Sequence, residues 1–402
     1  MRALEGTVIL DLTHMLSGPY ATMLLADMGA RTIKIERPGI GENTRRLLEA
    51  SASYSREGQG AYFLTLCRNK ESVALDLKKQ AGLEIFYDLV RKADVVVSNF
   101  GAGVAERMKI DYTTLSALNP RIITCTISGF GETGPFPDRP AFDLVTQGMS
   151  GGMTLTGYAD GEPLRSGIPI GDLGGGLFGT VGILSALQAR HKTGRGQNVD
   201  ISMLDCQISM LNYMATMYLM SGDAPGRSGN EHFVHVPYNT FRTKTRHLIV
   251  AVIADNSWEN LVDMLDDAEL KKPEFSTQPG RLANRQFIND RLGDAFAQQP
   301  CEYWLEKLAR ARVPAAPVNE ISDAFADEQI LARKMRIRVP LKGGGSIDEP
   351  GNPIKLSDTF EDIYSAPPAL GEHTGAVLRD FLQFDPDKLA ALARAGIIEI
   401  QP

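Results

Sequence analysis

The first hundred residues alternate between short apolar runs and longer stretches with helical spacing. Thr7-Val8-Ile9-Leu10-Asp11-Leu12 is rich in β-branched residues and predicts a buried strand. Ser17-Gly18-Pro19 then opens a helix over 20–28, stopped by Gly29, and Thr32 to Glu36 predicts the next strand. Strand predictions follow at 72–77, 94–98 and 121–128, with a helix at 79–93 between the first two. Strand, helix and parallel strand in succession is a βαβ pattern. The expected class is α/β, with a Rossmann-like parallel sheet over roughly the first 200 residues.

A second pattern centres on Ser166-Gly167-Ile168-Pro169-Ile170-Gly171-Asp172, followed by the small and apolar run Leu173 to Ala189. The run predicts a buried core helix. Asp172 falls where that helix should start, a position that favours Asp as an N-cap. Gly171 and the cluster Gly174-Gly175-Gly176 weaken a helix by roughly 1 kcal/mol each relative to Ala. They therefore suggest that backbone or a bulky ligand comes close to the carboxylate.

Beyond a basic turn at 191–197, a strand is expected at 198–203 and a Met-rich helix at 205–219. The composition changes at Ser221-Gly222-Asp223-Ala224-Pro225-Gly226. The segments are read as 1–224, the first part of a large Rossmann-like sheet domain; 225–320, a smaller α/β domain; and 321–402, a return to the large domain. Within the smaller domain a strand is expected at 247–253 and helices at 257–265, 284–297 and 302–311. Residues 313–318 read as a hinge, 337–355 as strand and turn, and 386–395 as a final helix.

Composition narrows the function classes. Of the 402 residues 43% are hydrophobic and 23% charged, with a net charge of −7. No polybasic run points to nucleic acid, and no membrane partner is expected. Four dispersed cysteines without CxxC or Cys/His spacing fit a reducing cytosol and give no reason to expect a metal. The opening residues lack a signal-peptide pattern, so a cytoplasmic location is expected. No GxGxxG follows the first strand; the turn reads Thr13-His14-Met15-Leu16-Ser17-Gly18-Pro19. Basic residues do follow successive strands: Arg37, Lys78 and Arg107. On a parallel sheet these ends converge at one edge, which favours a polyphosphate ligand.

Several motifs in one order resemble a known family. They include Val8-Ile9-Leu10-Asp11-Leu12, Ser17-Gly18-Pro19, Ala26-Asp27-Met28-Gly29-Ala30 and Ile33-Lys34-Ile35-Glu36-Arg37-Pro38-Gly39. Asn99-Phe100, Gly129-Phe130-Gly131, Gly171-Asp172, Lys192-Thr193-Gly194-Arg195-Gly196-Gln197 and Leu370-Gly371-Glu372-His373-Thr374 continue the series. Together they resemble the class III CoA-transferases, the family of formyl-CoA transferase and the carnitine and bile-acid CoA-transferases.

The resemblance implies a nucleophile at Asp172. It implies CoA contacts at Leu16, Ser17, Arg37, Leu75, Lys78, Asn99, Phe100, Arg107, Phe142 and Asp143. It also implies an interlocked homodimer, no permanently bound cofactor, and acyl-CoA and small carboxylic acids as substrates. The helix start is expected to keep Asp172 ionised, and its free N–H groups to hold developing negative charge. Related racemases carry a His-Asp pair where this chain has Phe142-Asp143, and Phe142 cannot move a proton. Residues 227–246 hold only Gly229, where formyl-CoA transferase has a glycine-rich loop. That stands against formate and oxalate, and a larger dicarboxylate is expected, met by the His and Arg residues of this segment. A non-catalytic CoA-binding protein, with Asp172 only a cap, is the further alternative.

Overall fold

The structure is a computed structural model and describes residues 1–401. Two compact units emerge. The first comprises Met1–Gly152, Arg165–Met220 and the chain from Leu331 onward; the second comprises Met153–Leu164 and Ser221–Ile330.

The first unit is built on β1 (Val8–Asp11), β2 (Arg31–Glu36), β3 (Lys70–Leu75), β4 (Val95–Ser98), β5 (Ile123–Ser128) and β6 (Asn198–Ser202). Their order in the sheet is β3-β2-β1-β4-β5-β6, all parallel, with the short strand Ile398–Glu399 antiparallel on the β3 edge. This is the Rossmann strand order, and its switch point lies between β1 and β4. Alternate side chains enter opposite cores. Ile9, Val95 and Val97 pack on one side with Ile123, Cys125 and Ile183. Leu10, Val96, Ile33 and Val73 pack on the other with Phe86 and Leu89. A sheet buried on both faces explains why its strands read as continuous apolar runs.

The helices of this unit that matter here are α1 (Ser17–Asp27), α2 (Ala61–Cys67), α3 (Gln80–Val90), α4 (Asp143–Met149), α5 (Ile170–Thr193), α6 (Met203–Leu211) and α7 (Tyr213–Ser221). The single Met-rich helix expected at 205–219 is two helices. Asn212, at φ 51° and ψ −124°, breaks it. Helices α2 and α4 and the strand Tyr238–Arg242 of the second unit were not expected, because each is short and none has a clear apolar period, whereas its hairpin partner His247–Ala251 falls within the strand expected at 247–253.

The glycines of α5 serve packing. A Cβ on Gly176 would lie 2.6 Å from the Ser17 carbonyl oxygen and 2.9 Å from the Tyr20 ring. One on Gly174 would lie 2.6 Å from Met210 Cε, and one on Gly175 3.1 Å from both Ile127 and Met203. The cluster therefore brings α5 against α1, α6 and β5, and at Gly176 the close approach is of backbone, one of the two causes the sequence suggests.

In the second unit, strands Tyr238–Arg242, His247–Ala251 and Ala315–Pro317 form an antiparallel sheet. The segment read as a hinge, 313–318, supplies its edge strand, where proline is tolerated. Trp258, Phe296 and Trp304 pack against this sheet's Phe241 and Leu248. Arg281, fully buried, donates to the carbonyls of Val236 and Phe275 and to Asp255.

Gly176→Ala should lower stability by about 2–3 kcal/mol in urea unfolding, since Ser17 backbone must move. The matched control is Gly293→Ala, in helix Arg285–Phe296, where an added Cβ meets nothing within 4 Å. It should stabilise by about 0.5–1 kcal/mol.

Candidate active site

The carboxyl end of β1 fixes the site's floor. Asp11 is fully buried, and its carboxylate accepts from Thr13, from Thr22 Oγ1 (2.8 Å) and from Lys70 Nζ (2.9 Å). Lys34 Nζ stands 3.7 Å away and donates to the Thr13 carbonyl at 2.6 Å. Burial would raise the Asp11 pKa, but the Lys34 and Lys70 charges and these hydrogen bonds overcome it and hold Asp11 far below the usual carboxylate range. The result is a rigid turn between β1 and α1, which carries His14, Leu16 and Ser17.

A cavity of about 280 Å³ opens at the strand ends. Four of the residues singled out in the sequence line it: Arg37 after β2, Leu75 at the end of β3, Lys78 just beyond, and Phe100 after β4. Arg37 and Lys78 are exposed. Asn99 does not line the cavity but holds its wall residue His14 through a reciprocal pair. The Asn99 amide donates to the His14 carbonyl at 2.7 Å and accepts from its N–H at 2.8 Å. Arg107 lies exposed on the short helix Val104–Met108, whose Met108 reaches the cavity.

A second group gathers at the start of α5. Asp172 is its third residue, and Pro169 occupies the cap position, so the expected N-cap role for Asp172 is not observed. The cap function falls to Asp143, the first residue of α4. Its Oδ1 accepts from the Gly171 N–H at 2.8 Å and the Asp172 N–H at 3.3 Å. Ile170 N–H donates to Ile168 and Leu173 N–H to Pro169. The first-turn N–H groups expected to be free for a developing anion are thus engaged. Asp143 is 8% exposed, whereas neighbouring Phe142 is 70% exposed. Leu16 packs beside Phe63 and Cys67 with Tyr20 and Tyr62, and Ser17 is buried against Gly176. Leu16, Ser17, Phe142, Asp143 and Asp172 do not line the 280 Å³ cavity.

The helix start does not hold Asp172 at low pKa. Burial first, and the Asp143 charge second, push it up to about 6. Tyr62 feels burial and the charges of Asp172, Asp143 and Glu42, all of which raise its pKa, so its hydroxyl stays protonated at neutral pH.

Sequence reasoning did not single out Tyr62, Glu42 or His14. Glu42 lines the cavity and accepts the Met15 N–H at 2.9 Å. His14 packs on Phe100 with ring centroids 4.8 Å apart, and burial and Lys34 lower its pKa. A signal for His14 existed, since it sits in the turn after β1 where ligands of open α/β sheets bind. Tyr62 and Glu42 belong to a segment, 37–69, whose pattern predicted no element.

Comparison with known proteins agrees with this architecture. Residues 4–374 match the model of a family described as CoA-transferase family III. The chain is 38% identical over 381 residues to an acetyl-CoA:oxalate CoA-transferase of Acetobacter aceti, covering 94% of this chain and 95% of that protein. It is 38% identical over 383 residues to a succinyl-CoA:mesaconate CoA-transferase of Haloarcula hispanica, covering 94% and 96%. A crystal structure of a CAIB/BAIF family protein from Brucella suis matches with a TM-score of 0.84 at 36% identity, over 94% of this chain and 99% of that one. The chain therefore belongs to CoA-transferase family III, and it is a CoA-transferase whose substrates are CoA thioesters.

Proposed function

We propose that the enzyme moves CoA from an acyl-CoA thioester to a carboxylic acid through covalent intermediates on Asp172. The observation that carries this reading is the Asp172 carboxylate itself. It is partly exposed in the first turn of α5, with its backbone N–H fixed by Asp143. A cavity flanked by Arg37 and Lys78 lies in the same unit.

Asp172 attacks the donor thioester carbonyl, and the C–S bond breaks to give an acyl-aspartyl anhydride and CoA thiolate. The thiolate attacks the aspartyl carbonyl, which releases the donor acid and leaves an aspartyl-CoA thioester. The acceptor carboxylate then attacks this thioester, expelling the thiolate and forming the second anhydride. Thiolate attack on the acceptor carbonyl gives the new acyl-CoA and returns the Asp172 carboxylate. Covalent catalysis divides one difficult exchange into easier steps. With the α5 N–H groups engaged, the protonated Tyr62 hydroxyl is the donor in electrostatic reach of Asp172. The CoA phosphates meet Arg37, Lys78 and Arg107, and the CoA moiety also contacts Leu16, Ser17, Leu75, Asn99, Phe100, Phe142 and Asp143.

The acid exchanged is a dicarboxylate, succinyl-CoA being the preferred donor. The named activities of the two relatives involve the dicarboxylic acids oxalate, succinate and mesaconate, with acetyl-CoA the one monocarboxylic partner. The oxalate in the name of one relative weakens the argument from Gly229 against that acid. Two copies of the chain form the working unit. Large apolar side chains remain exposed on α4 (Leu144, Val145), α5 (Leu177, Val181) and α7 (Leu219, Met220), more than a monomer commonly leaves to water.

Asp172→Asn should abolish turnover, and wild-type enzyme given succinyl-CoA should gain the mass of a CoA thioester that this variant lacks. Turnover by Asp172→Asn would overturn the mechanism. The kcat of the wild type should fall as pH drops through about 6, where the carboxylate takes a proton. The same shift predicts a stability change. A folded pKa above the unfolded one means that ionisation opposes folding, so this penalty grows from pH 4 to 6 and is complete above it. Removing the charge should therefore stabilise the protein at pH 7–8 by on the order of 1 kcal/mol, after allowing for solvent at this carboxylate, and not at pH 4.

Arg37→Ala should raise KM for the CoA thioester about tenfold and leave kcat near wild type. Light scattering should give the mass of a dimer at micromolar concentration, and a monomer there would sink the two-copy reading.

A further inference from the structure

The contacts that fix Asp172 continue one residue deeper, to Gln147 on the buried side of α4. Gln147 is 3% exposed, and both ends of its amide are used. Nε2 donates to Asp143 Oδ2 at 2.6 Å, and Oε1 accepts the Ser166 N–H at 2.9 Å. This orientation is the only one its partners allow, since an ionised carboxylate accepts and a backbone N–H donates. One side chain therefore holds both ends of the segment 166–172. It holds Ser166 directly and Asp172 through Asp143.

Little else restrains the middle of that segment. A Cβ on Gly167 would meet nothing within 4 Å, and Ile168 is 59% exposed. Helix α4 is in turn tied to α6, because Gln207 Nε2 donates to Thr146 Oγ1 at 2.7 Å. Gln147 thus belongs to a fixed support, while the segment it holds has few other contacts.

We propose that Gln147 is a positioning residue for the transfer reaction: its amide clamps the segment that delivers Asp172 and orients the Asp143 carboxylate that caps α5. This rests on Asp172 being the nucleophile. An amide is what the position needs. An apolar side chain leaves the buried Asp143 Oδ2 and the part-buried Ser166 N–H without this partner. A carboxylate keeps an acceptor for Ser166 but sets a like charge against Asp143. The titratable groups facing Asp172 are Asp143 from α4 and Tyr62 from α2, so a charge added at position 147 acts on Asp172 through Asp143.

The test compares Gln147→Ala and Gln147→Glu with the wild type, using succinyl-CoA and a dicarboxylate acceptor. Loss of positioning should lower kcat of Gln147→Ala by about 10–100-fold, as misplacement by about an ångström does, with KM for the CoA thioester within about twofold. In Gln147→Glu the acid limb of kcat should move to higher pH by about one unit, because like charge disfavours ionisation. Wild-type kcat and pH profile in both variants would overturn the proposal. So would a fall in kcat that vanishes once rates are referred to the folded fraction of enzyme, which is what a merely structural residue gives. If Gln147→Ala does not fold, the acid limb of Gln147→Glu decides alone. Intact-protein mass separates this result from the underlying reading. A CoA adduct in the wild type that Asp172→Asn lacks, with unaltered Gln147 variants, overturns only the role of Gln147. Turnover by Asp172→Asn overturns both.

Discussion

The buried ion cluster at Asp11 governs how the rest of the first unit is arranged. One carboxylate and two lysines sit with essentially no solvent at the centre of a parallel sheet. Such charges are tolerated only when paired and hydrogen-bonded. Here Thr13, Thr22 and the carbonyls of Thr13 and Pro19 complete the set. The cluster binds β1, β2 and β3 to the turn that opens α1. That turn has a wall of the cavity on one side, through His14, and a packing surface for α5 on the other, through Ser17.

From there the geometry propagates by close approach. Only glycine at position 176 lets α5 settle on the Ser17 carbonyl. Once α5 is pressed against α1 and α6, its start is enclosed and its N–H groups need partners that water does not supply. Asp143 provides them for two residues. The same carboxylate that stabilises the helix start raises the proton affinity of the aspartate two positions into it. Burial is the larger cause of the Asp172 shift, and the capping carboxylate adds to it.

Much of the sheet was legible because both of its faces are buried, so Val8 to Leu10 and Val95 to Val97 read as unbroken apolar runs. The ends of α5 were less so. Asp172 suited a cap by its residue type, but the cap came from Asp143, 29 positions earlier, and no local pattern announces a partner that distant. The glycine cluster was visible but its cause was not. A glycine tells that something comes close, and only the fold tells whether it is ligand or, as here, Ser17, Met203 and Met210. Arg37, Lys78, Leu75 and Phe100 converge on one cavity because strand ends of a parallel sheet must. Tyr62 and Glu42 join the site through tertiary contacts of a segment with no periodicity of its own.

With Asp172 proposed as the nucleophile, its raised proton affinity bears directly on what a carboxylate in that role requires. An aspartate held strongly ionised by a helix start and free N–H groups would be a weak base and a poor attacking group. It would also have its charge spread into the hydrogen bonds it must then lose. A carboxylate pushed up to about 6 is still mostly ionised at neutral pH, and its electron pair is less stabilised. Matching pKa to the working pH is the general optimum for a group that must be both charged and reactive. Burial alone would have supplied part of this and would have limited access for a thioester. A second carboxylate placed behind the first, and tied to its backbone, raises the affinity without closing the approach. Asp143 acts from the helix side, and Asp172 keeps an exposed fraction toward solvent.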